Sequence, residues 1–123
     1  MTFVHKETVR FRDLDAMGHL NNAVYSTFLE QARLAFLEPR GAEVSSMILA
    51  RAEIDFRSPV DLGETVEISV TPGRIGTKSF ELTYVMSAGD RVVADARTVL
   101  VAYDYEHARS IEIPEEWKKR LAA

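Results

Sequence analysis

Six residues able to take part in chemistry fall within one ten-residue stretch: Asp13, Asp15, Gly18, His19, Asn21 and Asn22. A carboxylate can attack an electrophile directly or take a proton from water. The residues that follow carry a helical pattern, so the asparagines stand where the first backbone N–H groups of a helix lack a partner. A carboxylate beside those amides is a common way to build a reaction site, because the amides and the helix dipole receive developing negative charge. The same spacing also permits a plainer arrangement, in which Asp15 makes an Asx-turn hydrogen bond ahead of the helix. Asp13 reads as a charge partner for Arg12 or Arg33. His19 reads equally as a group that orients water, as a hydrogen-bond partner of Asp15, or as a loop histidine bonded to a carbonyl. Asp13, Asp15 and His19 match no recognised metal spacing, and no metal is expected.

The elements that must position these residues follow from periodicity. Residues 3–12 read as a strand, since Val9 and Phe11 alternate with Arg10 and Arg12. Asn21 or Asn22 caps a helix over 22–38, whose apolar face holds Tyr25, Phe28, Leu29, Ala32, Ala35 and Phe36. Glu38 before Pro39, then Gly41, stops it. Four strands come next. In the first, Ile48, Ala50, Ala52, Ile54 and Phe56 alternate with Leu49, Arg51, Glu53, Asp55 and Arg57; in the second, Val66, Ile68 and Val70 alternate with polar neighbours. The third sets Phe80, Leu82, Tyr84 and Met86 on one face, and the fourth, over 91–104, is apolar on both. Pro72-Gly73 and Ala88-Gly89-Asp90 supply turns, and Pro114 opens a short closing helix from within its first turn. The order predicts an α+β domain spanning 1–123: strand, long helix, then a four-strand antiparallel meander packed on that helix. Alanines at 50, 52, 94 and 96 allow close helix packing on central strands. The second sheet face, apolar and uncovered, calls for a partner copy.

Bulk properties narrow the function. A net charge of −4 argues against nucleic-acid binding, and the absence of cysteine excludes disulfides and cysteine-ligated zinc. No apolar run approaches the roughly 20 residues of a membrane span, and the first residues lack a signal-peptide apolar core, so a cytoplasmic protein is expected.

The run Arg12-Asp13-Leu14-Asp15-Ala16-Met17-Gly18-His19-Leu20-Asn21-Asn22-Ala23-Val24-Tyr25, with Glu30-Gln31-Ala32-Arg33 a turn later, resembles the hotdog-fold acyl-CoA thioesterases of the 4-hydroxybenzoyl-CoA thioesterase type. The resemblance continues in Phe56-Arg57-Ser58-Pro59, Gly63-Glu64, Gly76 to Phe80 and Ile113-Pro114. It implies a five-stranded antiparallel sheet wrapped around one long helix, with sites at the interface of a homodimer or homotetramer. It implies hydrolysis of an acyl-CoA to free acid and coenzyme A, with no cofactor beyond the coenzyme A of the substrate. Asp15 takes the place of the family's catalytic acid, as nucleophile or general base, and the Asn22 amide that of its oxyanion donor, with His19 beside them. Lys78 and Ser79 map to the segment that meets coenzyme A; Gly18, Tyr25 and Arg57 complete the expected substrate-binding set. Glu30 is the reserve carboxylate, because another branch of hotdog thioesterases uses a helix acid. Two further readings keep the fold. Enoyl-thioester hydratases resemble an Asp-x-Asn-Pro-x-His pattern, whose Asn and Pro are absent after Asp15. A non-catalytic acyl-CoA-binding module has no need of the carboxylate.

Overall fold

The computed structural model describes residues 2–122. Strand β1 (Phe3–Thr8) leads through a 3-10 turn into helix α1 (Asn22–Leu37). Strands β2 (Met47–Phe56), β3 (Thr65–Ile75), β4 (Ser79–Ala88), β5 (Arg91–Asp104) and the two-residue β6 (Arg109–Ser110) precede helix α2 (Glu115–Ala122). All pairings are antiparallel, in the order β1-β3-β4-β5-β2, with β6 on β5.

Helix α1 begins where expected. The Asn21 side chain accepts from the Ala23 amide at 2.9 Å, satisfying one of the orphan donors of the first turn. After Leu37 the chain tightens into a 3-10 turn through Arg40 and ends at Gly41, whose φ of +73° suits glycine. The buried helix face is Tyr25, Phe28, Leu29, Ala32, Arg33, Phe36 and Leu37. Opposite it, one register row crosses the whole sheet: Phe3, Val70, Tyr84, Ala96 and Ile54. Directly paired residues share a face, so this row and the next (His5, Ile68, Met86, Ala94, Phe56) meet the helix. Ala94 and Ala96 leave room for it, and a buried Tyr84–Thr98 hydroxyl pair at 2.7 Å satisfies the polar atoms beneath. This is the helix-in-sheet arrangement of the hotdog fold.

The structure departs from the sequence reading in several places. The first strand stops at Thr8, not at residue 12. Arg10 N donates to the Asp13 carboxylate at 2.8 Å and Asp13 N donates to Arg10 O at 2.9 Å, which closes a turn and leaves Phe11 81% exposed. The last four strands are not one meander: β3, β4 and β5 are, but β2 crosses to the far edge and pairs β5. The eight-residue connection 57–64 is too long for a hairpin and runs past the helix start instead. A bulge between Leu49 and Arg51 shifts β2 by one residue, so Leu49 joins Ala52, Ile54 and Phe56 on the inner face while Ile48 turns outward. Ala50 and Ala52 consequently lie on an edge strand, not a central one. Pro72-Gly73 is no turn but lies within β3, past the end of β1, where the missing proline N–H costs no ladder bond. Pro114 sits one place ahead of α2, its carbonyl accepting from Trp117 N at 3.0 Å.

The outer sheet face is not the apolar surface expected. Arg97 bonds Glu53 at 2.8 Å and Arg57 bonds Asp95 at 2.8 Å, while Lys6 lies 3.8 Å from Glu67. Val4, Val85 and Val92 stand between these pairs. The open apolar surface lies instead along the seam between α1 and the edge strand β2, where Leu49 and Phe56 are exposed. Among the described residues, no helix is long and apolar enough to cross a membrane.

Candidate active site

The elbow between β1 and α1 is held from both sides. Asn21 N donates to Asp13 O at 2.9 Å, drawing the helix start back onto the 3-10 turn. Leu20 N donates to Val60 O at 2.8 Å and His19 bridges Asp61, which lays the β2–β3 connection along the elbow. Arg91 fastens that connection: its guanidinium reaches both Glu64 carboxylate oxygens (2.7 and 2.9 Å), the Pro59 carbonyl (3.0 Å) and the Ser58 hydroxyl (3.3 Å). The hydrogen bond from Arg91, with a second from the Asp61 amide, holds the Glu64 carboxyl below its ordinary pKa.

The two acids of the elbow have different surroundings. Asp13 is 3% exposed and bonded to Arg10 through Arg10 N, Nε and Nη2, so its partner is neither Arg12 nor Arg33. The Arg10 hydrogen bond holds its carboxyl below the ordinary value against the opposing effect of burial. Asp15 is half-buried. Its Oδ1 accepts from Met17 N at 2.9 Å and His19 N at 3.2 Å, the Asx-turn arrangement. Among the described residues, Oδ2 has no donor. Gly18 donates its N–H to Asp15 O at 3.1 Å and takes a φ of +83°, closing the tight turn between the acid and the histidine. The His19 ring lies 3.9 Å from the Asp61 carboxylate, and its backbone amide, not its ring, meets Asp15.

Asp15, His19, Asn22, Tyr25, Phe56 and Arg57 line one cleft of about 330 Å³. The backbone N–H of Asn22 opens α1 and, among the described residues, has no acceptor. Tyr25 is buried, its hydroxyl donating to Ser58 O at 3.3 Å and its ring edge-on to Phe56 at 4.9 Å. Burial pushes its pKa up. The Arg57 guanidinium is engaged by Asp95, through Nε at 2.9 Å and Nη2 at 2.8 Å. Five of the eight expected site residues thus share a cleft, and Gly18 shapes its turn. Lys78 and Ser79 stand elsewhere in the chain. Ser79 pairs Val101 on β5 whereas Phe56 pairs Ala94, a separation of about 23 Å at ~3.3 Å per strand residue. Ser79 lines a smaller groove with Arg74, Thr77 and Glu81. Glu30 is exposed on α1, 3.7 Å from Arg33.

Sequence reasoning missed Phe56 and Arg91 as builders of this cleft. Glu64 stood in the Gly63-Glu64 match, but its partner Arg91 carries no local signal. The elbow's acids and histidine do not converge as a ligand set. Among the described residues, the groups that do are Asp104, Glu106 and His107 in the β5–β6 turn, with Asp104 bonded to the amides of the other two.

A family model described as the thioesterase-like superfamily matches residues 9–121. A 1,4-dihydroxy-2-naphthoyl-CoA hydrolase of Nostoc punctiforme is 31% identical over 94% of this chain and 84% of its own. The long-chain acyl-CoA thioesterase FadM of Escherichia coli is 29% identical over 92% of each chain. Among solved structures, a Thermus thermophilus thioesterase complexed with coenzyme A and Zn superposes with a TM-score of 0.89 at 30% identity, covering 96% of this chain and 90% of that one. With the elbow, the wrapped helix and the family match in agreement, the chain belongs to the thioesterase-like superfamily and is a hotdog-fold thioesterase.

Proposed function

We propose that this chain hydrolyses an acyl-CoA thioester to the free acid and coenzyme A, with Asp15 acting on the thioester and the Asn22 amide receiving the oxyanion. The observation that carries this reading is a pair of unused groups in one cleft. Among the described residues, Asp15 presents a carboxylate oxygen without a donor, and Asn22 presents an N–H without an acceptor. The two hydrogen bonds on Oδ1 fix the carboxylate, so no reorganisation is needed as charge moves. As a general base, Asp15 takes a proton from water while the water oxygen bonds to the acyl carbon. The carbonyl electron pair moves to oxygen, facing the Asn22 amide and the positive end of α1. Collapse of that intermediate expels the coenzyme A thiolate, which then takes up a proton. As a nucleophile, Asp15 instead bonds to the acyl carbon and expels the thiolate, leaving a mixed anhydride for water to cleave. His19, whose ring lies toward Asp61 and lines the same cleft, orients the water in either course. Coenzyme A enters only as part of the substrate, and neither course routes a step through a metal.

In this reading Tyr25 and Arg57 form the wall around the acyl thioester, and Gly18 holds the turn that presents Asp15 to it. Lys78 and Ser79 contact coenzyme A from a second copy, since one chain places them far from its own elbow. The edge strand β2, with an unpaired ladder and Leu49 and Phe56 exposed beside it, is the surface that supports such pairing. The test is a free-thiol assay over acyl-CoAs of graded length together with aryl-CoAs. Turnover of at least one is expected; turnover of none, with binding retained, favours an acyl-CoA-binding module instead.

A further inference from the structure

A cleft of about 400 Å³, larger than the one at the elbow, lies at the opposite end of α1. Strand pairing creates it. Among the described residues, β1 pairs β3 no further than Phe3 with Val70, whereas β3 runs on to Ile75. The end of α1 and helix α2 stand over the gap beyond β1. Phe3, Phe36, Val70, Ile75 and Leu121 supply apolar walls, and Arg40 is the one charged residue among those lining it. Phe36 follows Asn22 by fourteen residues, about 21 Å of helix at ~1.5 Å per residue, so this cleft is separate from the elbow. No residue of the edge strand β2 lines it.

We propose that this cleft binds a free monocarboxylate with an extended apolar body, its carboxylate meeting Arg40. Arg40 is half-buried and held on two sides. Its guanidinium lies 3.8 Å from the Phe36 ring centre and 5.7 Å from that of Phe3, and the two rings meet edge to face at 5.4 Å. Nη1 donates to Phe36 O at 2.7 Å, and Arg40 O accepts from Arg120 Nη1 at 3.2 Å. The Nη1 bond caps a terminal carbonyl of α1, so the negative end of the helix is already met. Stacking uses the face of a guanidinium and hydrogen bonding its edge, which leaves Nε and Nη2 for an incoming oxygen. Among the described residues no carboxylate pairs with Arg40, and none lines the cleft. The cation is positioned without being neutralised. A capping role alone asks only for the Phe36 bond, not for an apolar cleft free of acids beside the charge.

Charge and shape select the ligand. One guanidinium balances one negative charge, and a planar carboxylate matches its edge. A polyanion such as coenzyme A would bring further charges against apolar walls without partners for them. A neutral alcohol would fill the same walls and forgo the ion pair. Val70 and Ile75 stand five positions apart on β3, up to about 16 Å at ~3.3 Å per residue, which accommodates an extended chain of about ten carbons. Such an acid belongs to the class of compound that thioester hydrolysis releases, so the cleft can hold product apart from the elbow. The binding itself does not rest on that reaction.

The experiment titrates the full chain with decanoate, decanol and coenzyme A and follows backbone amide shifts in nitrogen-15 spectra. Decanoate is expected to move the amides of Phe36, Arg40, Thr71 and Ile75. Decanol should act on the same amides about 10-fold more weakly, the effect of one hydrogen bond to a charged group. Arg40→Met should weaken decanoate by about 10-fold and leave decanol unchanged. If that variant does not fold, the comparison of decanoate with decanol in the unmutated protein decides alone. Equal affinity for the acid and the alcohol overturns the proposal, as does decanoate binding that survives Arg40→Met. Shifts confined to the elbow residues, or coenzyme A moving the cleft amides at lower concentration than decanoate, overturn it too. No turnover enters this test, so its failure leaves the thioesterase reading where it stands.

Discussion

Asp15→Asn separates chemistry from architecture at the elbow. The two carboxylate oxygens differ: Oδ1 accepts from Met17 N and His19 N, and Oδ2 has no donor among the described residues. An asparagine retains an acceptor for both amides, so the turn through Gly18 persists and α1 still starts at the same place. What disappears is the basic and nucleophilic oxygen. General-base catalysis contributes typically 10²–10⁴-fold, and the lower bound corresponds to about 2.7 kcal/mol of barrier. The expected result is a fall in kcat of at least about 100-fold with acyl-CoA binding and thermal unfolding little changed. Free-thiol release at saturating substrate reads kcat, and circular dichroism melts read the fold. Single turnover in oxygen-18 water then divides the two courses. Hydrolysis of a mixed anhydride at the aspartyl carbonyl leaves label in Asp15, whereas general-base catalysis places it only in the product acid. Label in Asp15 establishes the nucleophile, while its absence fits either course. Near-native kcat in Asp15→Asn, with turnover abolished by Glu30→Gln, would refute this reasoning and move catalysis onto the helix.

Two further outcomes test the frame around that residue. Asp13→Ala removes the acceptor of three Arg10 donors at a buried position and should cost about 2 kcal/mol of stability, read as a lower urea midpoint. Because Arg10 holds the Asp13 carboxyl below its unfolded value of ~3.9, its stabilisation is full above that value and disappears as pH falls through the lower folded one. The gap between the parent protein and Asp13→Ala should therefore narrow in acid, and a gap independent of pH would count against the pair. The β2 edge is tested by sedimentation equilibrium at micromolar concentration: a dimer or tetramer is expected, and Leu49→Lys should shift it toward monomer and depress turnover together. A fully active monomer would defeat the two-subunit site.

The sequence carried most of the fold because its elements are strongly periodic. The helix over 22–38 stands as Asn22–Leu37, and the inner faces of β3 and β4 are those read from Val66, Ile68, Val70, Phe80, Leu82, Tyr84 and Met86. Errors arose where a non-local pairing overrode local pattern. Alternation through Ile48 to Phe56 looks unbroken, yet the bulge beside Ala50 changes which residues face α1. Strand adjacency was equally hidden, because β2 and β3 are consecutive in sequence but lie on opposite sides of the β4–β5 pair. The elbow was legible as a cluster of residue types. The connection that walls it and the Arg91 that fastens that connection were not, since nothing near residue 91 marks a partner at Glu64 or Pro59.

The elbow gives two aspartates, two residues apart, opposite physical states, and the difference follows from which of them meets a cation. Asp13 is buried against Arg10, and the turn they close is what takes the chain off β1 and aims it at the helix start. A charge so engaged is poorly suited to proton transfer, because its hydrogen bonds stabilise the anion and hold its proton affinity down. Among the described residues, Asp15 meets no guanidinium. Two backbone amides orient it without neutralising it, and among the described residues its second oxygen has no donor, in the same cleft as the Asn22 N–H. Exchange of the two environments would leave the composition of the motif unchanged and remove its chemistry. The spacing of the acids thus matters less than the order of the residues around them: Arg10 three places before Asp13 supplies the brace, and Gly18 three places after Asp15 supplies the turn that keeps amides, not cations, at the carboxylate proposed to react.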